Sequence, residues 1–304
     1  MSGVAAAGGA HWARRRERGS QPLIRLMVWL ALRLGRRASQ LLLYPVCAYF
    51  FLFSPASGRA SRLYLTRVLG RPPRLGERWR HLWWFAVCLL DRVLLLNGRV
   101  LNGRVERFDI RLHGTGTVDH GGALLFGAHL GSFEVIRAAG RTLPELRLSL
   151  VMYEENARKT NAVLHAINPD LAQEIIALGR PRSMMMVKER LEAGHLVGLL
   201  ADRGLGSERM CPVGFLGAPA AFPLGPFRMA LLLRRPVVLM VGLFRGGARY
   251  DIHFELLSAP APDAPSGAAL ELAAGELMRR YVARIEHYCR MAPYNWFNFY
   301  DFWA

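Results

Sequence analysis

Ala123-Leu124-Leu125-Phe126-Gly127-Ala128-His129-Leu130-Gly131-Ser132-Phe133-Glu134-Val135-Ile136-Arg137 is the stretch on which the fold turns. A short apolar run ending in Gly and Ser and passing into a helical pattern reads as a buried strand, a tight turn and a helix start. His129 then stands at the carboxyl end of a strand, where open α/β sheets gather their ligands. Glu134 falls in the first helical turn. On one continuous helix, positions five apart diverge by about 140°; a histidine just ahead of the helix escapes that limit and can meet the acid. An imidazole held by a carboxylate keeps one tautomer and can take a proton from an alcohol. Read alone, His129 is also a strand-end histidine satisfied by backbone.

Working outward, strand-like runs cover Phe108–Leu112, Ala123–Ala128, Leu148–Met152, Glu174–Leu178, His195–Leu200, Val237–Leu243 and Tyr250–Leu256. Helix-like runs cover Ser132–Gly140, Ala157–Ile167, Ser183–Ala193, Pro226–Leu233 and Leu270–Met291. The alternation predicts an α/β layer fold, a mixed but largely parallel sheet flanked by helices. Ala259–Gly267, rich in Pro and Ala, reads as a loop.

The N-terminal third has another character. Of the net charge of +17, most lies in residues 1–80, which hold 15 Arg, no Lys, and Glu17 and Glu77 as the only acids. A nucleic-acid reader more often carries its basic stripe on the folded module. Leu41–Phe53 is thirteen residues without a charge. At 1.5 Å per residue it spans roughly 20 Å, short of a ~30 Å hydrocarbon core. Leu23–Leu34 is apolar apart from Arg25 and Arg33. The pair of segments predicts an amphipathic helix leading into a short, tilted or re-entrant span, with arginines such as Arg36, Arg37, Arg59, Arg62 and Arg67 facing anionic headgroups. A buried core helix, a cleaved signal peptide and a nuclear or nucleic-acid basic arm are the competing readings. The helical stripe Trp79, Leu82, Trp83, Ala86, Val87, Leu90 extends helix over 61–96. A tandem repeat, Leu96–Val100 then Leu101–Val105, reads as a surface loop. The expected organisation is a disordered basic tail (1–20), a membrane-associated segment (21–60), a helical connector (61–107), an α/β domain (108–292) and an aromatic tail (293–304). Four scattered cysteines and no zinc-ligand spacing among the histidines speak against a disulfide scaffold or a metal centre.

The spacing His129-x-x-x-x-Glu134 after an apolar strand resembles the glycerolipid acyltransferase signature. With Ala201-Asp202-Arg203-Gly204, the stretch Val213–Ala230 and Pro236-Val237-Val238, the chain resembles the bacterial lipid A biosynthesis lauroyl/myristoyl acyltransferase family over roughly residues 25–292. That resemblance implies a glycerolipid-acyltransferase-like fold at the bacterial inner membrane, with the catalytic domain on the cytoplasmic side. It implies transfer of a fatty acyl group from acyl carrier protein or coenzyme A to a hydroxyl of a glycolipid or lipid-like acceptor, without metal or organic cofactor.

His129 and Glu134 match the family's catalytic pair, and Asp202 an acidic position of its second signature. Asp202 follows a strand and is expected on the same edge as His129, placing a cation or a sugar hydroxyl, or capping a turn. Candidates for holding the carbonyl oxygen are Arg158, Lys159, Arg182, Arg203 and Arg228. Phe215, Leu216, Phe222 and Leu224 are candidates for lining an acyl tunnel, or are ordinary core.

Two departures stand out. Tyr153-Glu154-Glu155 replaces the family's usual Tyr-Arg-Pro, leaving that arginine's place to Arg158 or to none. The ending Pro293–Ala304 resembles a divergent subgroup accompanying aryl-polyene-type pigments, so a polyene-type acceptor is the alternative to lipid A. Physically the tail sits at the bilayer interface, plugs a groove or simply packs. A hydrolase would need a nucleophile elbow, and G-x-S-x-G is absent. A membrane-anchored lipid-binding protein without catalysis is the remaining rival.

Overall fold

The computed structural model describes residues 21–97, 108–117, 122–135, 147–153, 175–178, 181–204, 208–260 and 263–304. Nine strands are described: β1 (Asp109–His113), β2 (Ala123–Gly127), β3 (Leu148–Tyr153), β4 (Ile175–Leu178), β5 (Leu196–Leu200), β6 (Met210–Phe215), β7 (Ala218–Pro223), β8 (Val237–Phe244) and β9 (Arg249–Ser258). The described helices are α1 (Gln21–Phe53), α2 (Pro55–Leu69), α3 (Leu75–Asn97), α4 (Pro181–Glu192), α5 (Gly225–Leu233) and α6 (Gly267–Met291).

Seven strands form one sheet in the order β1-β9-β8-β2-β5-β3-β4. β2, β3, β4, β5 and β8 run parallel, and β9 turns back antiparallel on β8 with β1 parallel to it. The expected α/β architecture is therefore present. Every residue of β2 and of β8 is buried, as both faces of a central parallel sheet require. One face packs with α6 residues such as Tyr281 and Ile285, the other with α1 and α3 residues such as Cys47 and Val87.

Two elements differ from the sequence reading. The helix expected over 61–96 is two helices: Gly70 ends α2 in the left-handed region, and Pro72-Pro73 follows before α3. Residues 210–223, read as a small-residue stretch, form a two-stranded antiparallel hairpin, β6–β7. The tandem repeat falls largely, the helix expected at Ser132–Gly140 in its second half, and that expected at Ala157–Ile167 wholly, outside the described residues.

α1 is broken at Gly35 (φ 74°, ψ 175°) and contains Pro45. No single described helix is long and apolar enough to cross a membrane; Val28–Phe53 and Pro55–Leu69 meet that measure only together, across a 90° bend. Arg36, read as a headgroup arginine, is buried instead. It pairs with Asp91 of α3 at 2.7 and 2.9 Å, and Tyr250 of β9 donates to the same carboxylate at 2.8 Å. This closed ion pair pins α1 and α3 to the sheet, because removing either partner would strand a buried charge.

Candidate active site

β2 and β5 are parallel neighbours in a constant register, Ala123 opposite Leu196 through Gly127 opposite Leu200. The Ala201 N–H still bonds the Gly127 carbonyl at 3.0 Å. Carried two residues further, the same register sets His129 beside Asp202. His129 Nδ1 lies 2.8 Å from Asp202 Oδ1, and the His129 backbone N–H donates to Asp202 Oδ2 at 3.1 Å. The carboxylate is wholly buried, while 31% of the His129 side chain is exposed.

The turn after His129 is pressed against β8. Gly131 has φ 71°, and a Cβ there would stand 2.0 Å from the Gly242 carbonyl oxygen; one on Gly242 would stand 2.3 Å from that of Ser132. Only glycine permits this approach. The Ser132 N–H then bonds the Gly242 carbonyl at 2.8 Å.

The chemistry of the pair follows from its surroundings. Burial works to raise the Asp202 carboxyl, but the charge and hydrogen bonds of His129, aided by Arg203, prevail and hold it at about 2. An ionised carboxylate only accepts, so Nδ1 carries the proton and Nε2 keeps its lone pair. Burial first, and the Arg203 cation next, lower the His129 pKa against the opposing pull of Asp202 and Glu134. The imidazole is thus held neutral with its free nitrogen basic.

Glu134, expected to orient this ring, is turned elsewhere. Its carboxylate pairs with Arg92 of α3 at 2.9 Å and accepts from Ser132 Oγ at 3.5 Å. Glu134 therefore ties the turn after β2 to α3, and the acid on the imidazole is Asp202. The reason is register: side by side on adjacent strands, residues 129 and 202 are closer partners than residues separated by a turn.

The aromatic tail completes the site. The Phe297 N–H donates to the His129 carbonyl at 2.7 Å, the Gly131 N–H donates to the Asn295 carbonyl at 2.8 Å, and Leu130 bridges Trp296 in antiparallel fashion. The Asn295 side chain, fully buried, accepts from the Phe244 N–H at 2.8 Å and donates to its carbonyl at 3.1 Å. Arg203 donates to the Phe297 carbonyl at 3.1 Å and to Asn298 Oδ1, with the Tyr300 ring over its guanidinium at 5.2 Å. Trp303 Nε1 reaches the Phe215 carbonyl at 3.1 Å. The tail is thus packed into the protein against the His129 turn, with Asn295, Trp296, Phe297, Asn298 and Phe302 buried. None of these roles for Asn295 or Asn298 is visible in local sequence; only the run of aromatics hinted at a buried ending.

The remaining candidates divide. Arg203 is in the site. Arg228 of α5 is exposed and pairs with Glu271 of α6 at 3.1 Å, not with the His129–Asp202 pair. Arg182, in the first turn of α4, is exposed. Arg158 and Lys159 lie outside the described residues. Phe215, Leu216, Phe222 and Leu224 are all buried in one cluster that Trp296 and Phe302 fill. An open cavity of about 330 Å³ lies on the other flank of the hairpin, between β6 and α6, lined by Cys211, Val213, Leu224, Met278, Arg209 and Arg279.

Residues 105–304 match the bacterial lipid A biosynthesis acyltransferase family. No curated protein matches the chain. A solved structure, the 1-acyl-sn-glycerophosphate (LPA) acyltransferase PlsC from Thermotoga maritima, aligns at 13% identity and a TM-score of 0.34, covering 87% of this chain and 97% of that one. The family match takes in nearly two thirds of the chain and includes both members of the imidazole–carboxylate pair, so the chain belongs to the bacterial lipid A biosynthesis acyltransferase family and is an acyltransferase.

Proposed function

We propose that this acyltransferase works at a membrane surface, moving a fatty acyl group from an acyl thioester, on acyl carrier protein or coenzyme A, to a hydroxyl of a glycolipid. The observation that carries the reading is the partly exposed His129 imidazole held by buried Asp202 at 2.8 Å. His129 Nε2 takes the proton of the acceptor hydroxyl as its oxygen attacks the thioester carbonyl. The C–S bond then breaks, and the proton passes from Nε2 to the departing thiolate. Asp202 holds the tautomer and offsets the imidazolium charge.

The backbone N–H groups of residues 129 to 132 are all engaged within the protein. Among the described residues, the cation acting on His129 is Arg203, which the tail fixes in place; it favours the developing oxyanion. Glu134 acts from further away, through its field and its hold on α3.

The membrane reading rests on α1. Its inner face buries Leu43 and Cys47, while Leu41, Tyr44, Tyr49, Leu52 and Phe53 are exposed. Its second half, 41–53, carries no charge on any side, and with much of that surface uncovered by protein it suits lipid better than water. The basic N-terminal stretch fits anionic lipid on the cytoplasmic side of an inner membrane. The test is acyl transfer in vesicles of phosphatidylethanolamine and phosphatidylglycerol, with acyl carrier protein and coenzyme A thioesters offered separately against a lipid A precursor and a polyene lipid. Unchanged transfer by His129→Ala would remove the proposed base.

A further inference from the structure

Away from His129, at the sheet edge formed by β1 and β9, three metal-ligating side chains meet. β1 and β9 pair in parallel with His113 directly opposite His253 and Arg111 opposite Asp251. Strand residues two apart share a face, so Asp251, His253 and His113 point the same way. The two imidazoles stack with centroids 4.5 Å apart and planes at 12°. The candidate ligand atoms of all three residues lie within 4.8 Å of one another.

Two observations show that this is more than a crowded edge. His253 Nε2 is buried and has no hydrogen-bond partner among the described residues, a position that costs free energy unless some other group satisfies it. The backbone is also stiff there. Gly114 follows His113 at φ 73°, and a Cβ on it would stand 2.2 Å from the Phe254 carbonyl oxygen, so the chain leaves β1 in tight contact with β9 immediately behind the two rings.

We propose that His113, Asp251 and His253 form a divalent transition-metal site, filled by zinc, that staples edge strand β1 to β9. Two neutral imidazoles and one carboxylate are a borderline donor set suited to zinc, with water as a fourth ligand. Zn–N and Zn–O bonds of about 2.0–2.2 Å require the three groups to draw together by side-chain rotation alone. Asp251 Oδ2 receives Arg245 Nε at 2.7 Å, which leaves Oδ1 for the metal and fixes the carboxylate from its outer side. His113 is exposed, giving the ion a direct way in. The site lies in the α/β domain yet outside the acyl-transfer machinery, so it stands or falls independently of the proposed reaction.

The experiment is calorimetric titration of detergent-solubilised full-length protein, first stripped with EDTA, with zinc chloride. The expected result is one tight equivalent per chain, weakened at least about tenfold in His113→Ala and again in His253→Asn, and unchanged in His129→Ala. A thermal melt of the stripped protein with and without zinc reads the staple directly: the wild type gains stability and His113→Ala does not. No zinc uptake by the wild type, equal binding by His113→Ala, or loss of binding in His129→Ala would each overturn the assignment. His113 is exposed at the edge, so its variant keeps the fold when that of the half-buried His253 does not.

Discussion

Two histidines of this molecule, one enclosed and one half-buried, meet opposite fates. His81, on α3, is wholly enclosed, with Nδ1 2.8 Å from Ser61 Oγ and Nε2 2.9 Å from the Trp296 carbonyl. A carbonyl only accepts, so Nε2 donates to Trp296 and Nδ1 accepts from Ser61. Burial pushes its pKa down to about 4. Both nitrogens are spent on neutral partners, and the ring is a pin between α2, α3 and the tail. His129 has one nitrogen spent, on a charged partner, and part of its ring uncovered. Burial alone makes a histidine a strut; a carboxylate on one nitrogen and a partly uncovered ring suit the base proposed above.

The sharpest way to break that contrast is to remove each ring. His129→Ala is expected to lower kcat/KM about 10⁴-fold while the melting temperature stays near wild type. Asp202→Asn keeps the shape but not the charge, and is expected to cost about 10²–10³-fold in kcat with little change in KM. His81→Ala should do the reverse. It leaves Ser61 and the Trp296 carbonyl without their partner, so denaturant melts should show a loss of about 2–4 kcal/mol, with activity per folded molecule retained.

The titration of His129 sharpens the same comparison. Its pKa is lowered, and the active form is neutral, so transfer should rise with pH along a limb centred below the ordinary histidine value of about 6.5. The groups acting on it are Asp202 and Glu134, which raise its pKa, and Arg203, which lowers it. Arg203→Gln should therefore move the limb to higher pH, and Asp202→Asn to lower pH, as read from kcat/KM profiles. The smallest effect is expected from Glu134→Gln, about tenfold or less in kcat/KM. An effect as large as that of Asp202→Asn would restore Glu134 as the orienting acid.

Much of this is legible in the residue order. The apolar runs at 123–128 and 237–243 mark strands buried on both faces, and their alternation with amphipathic runs implies a layered α/β sheet, because period and burial are local properties of the chain. His129 at a strand end was visible for the same reason. The hairpin at 210–223 was not, since its Gly and Pro content masks strand alternation and its pairing is supplied by the partner strand. Arg36 looked like a headgroup arginine because its partner Asp91 lies far along the chain.

What the residue order determined by itself is that a histidine ends a buried strand and that an acid follows β5. That the two meet was decided by the lateral register of β2 on β5, a sum of backbone hydrogen bonds that no single segment contains. The closing of the site by Asn295, Phe297 and Asn298 was likewise settled only by packing. The tail's aromatics gain most by filling the slot between Phe215, Phe222 and Tyr64, and that burial carries its main chain onto the His129 turn.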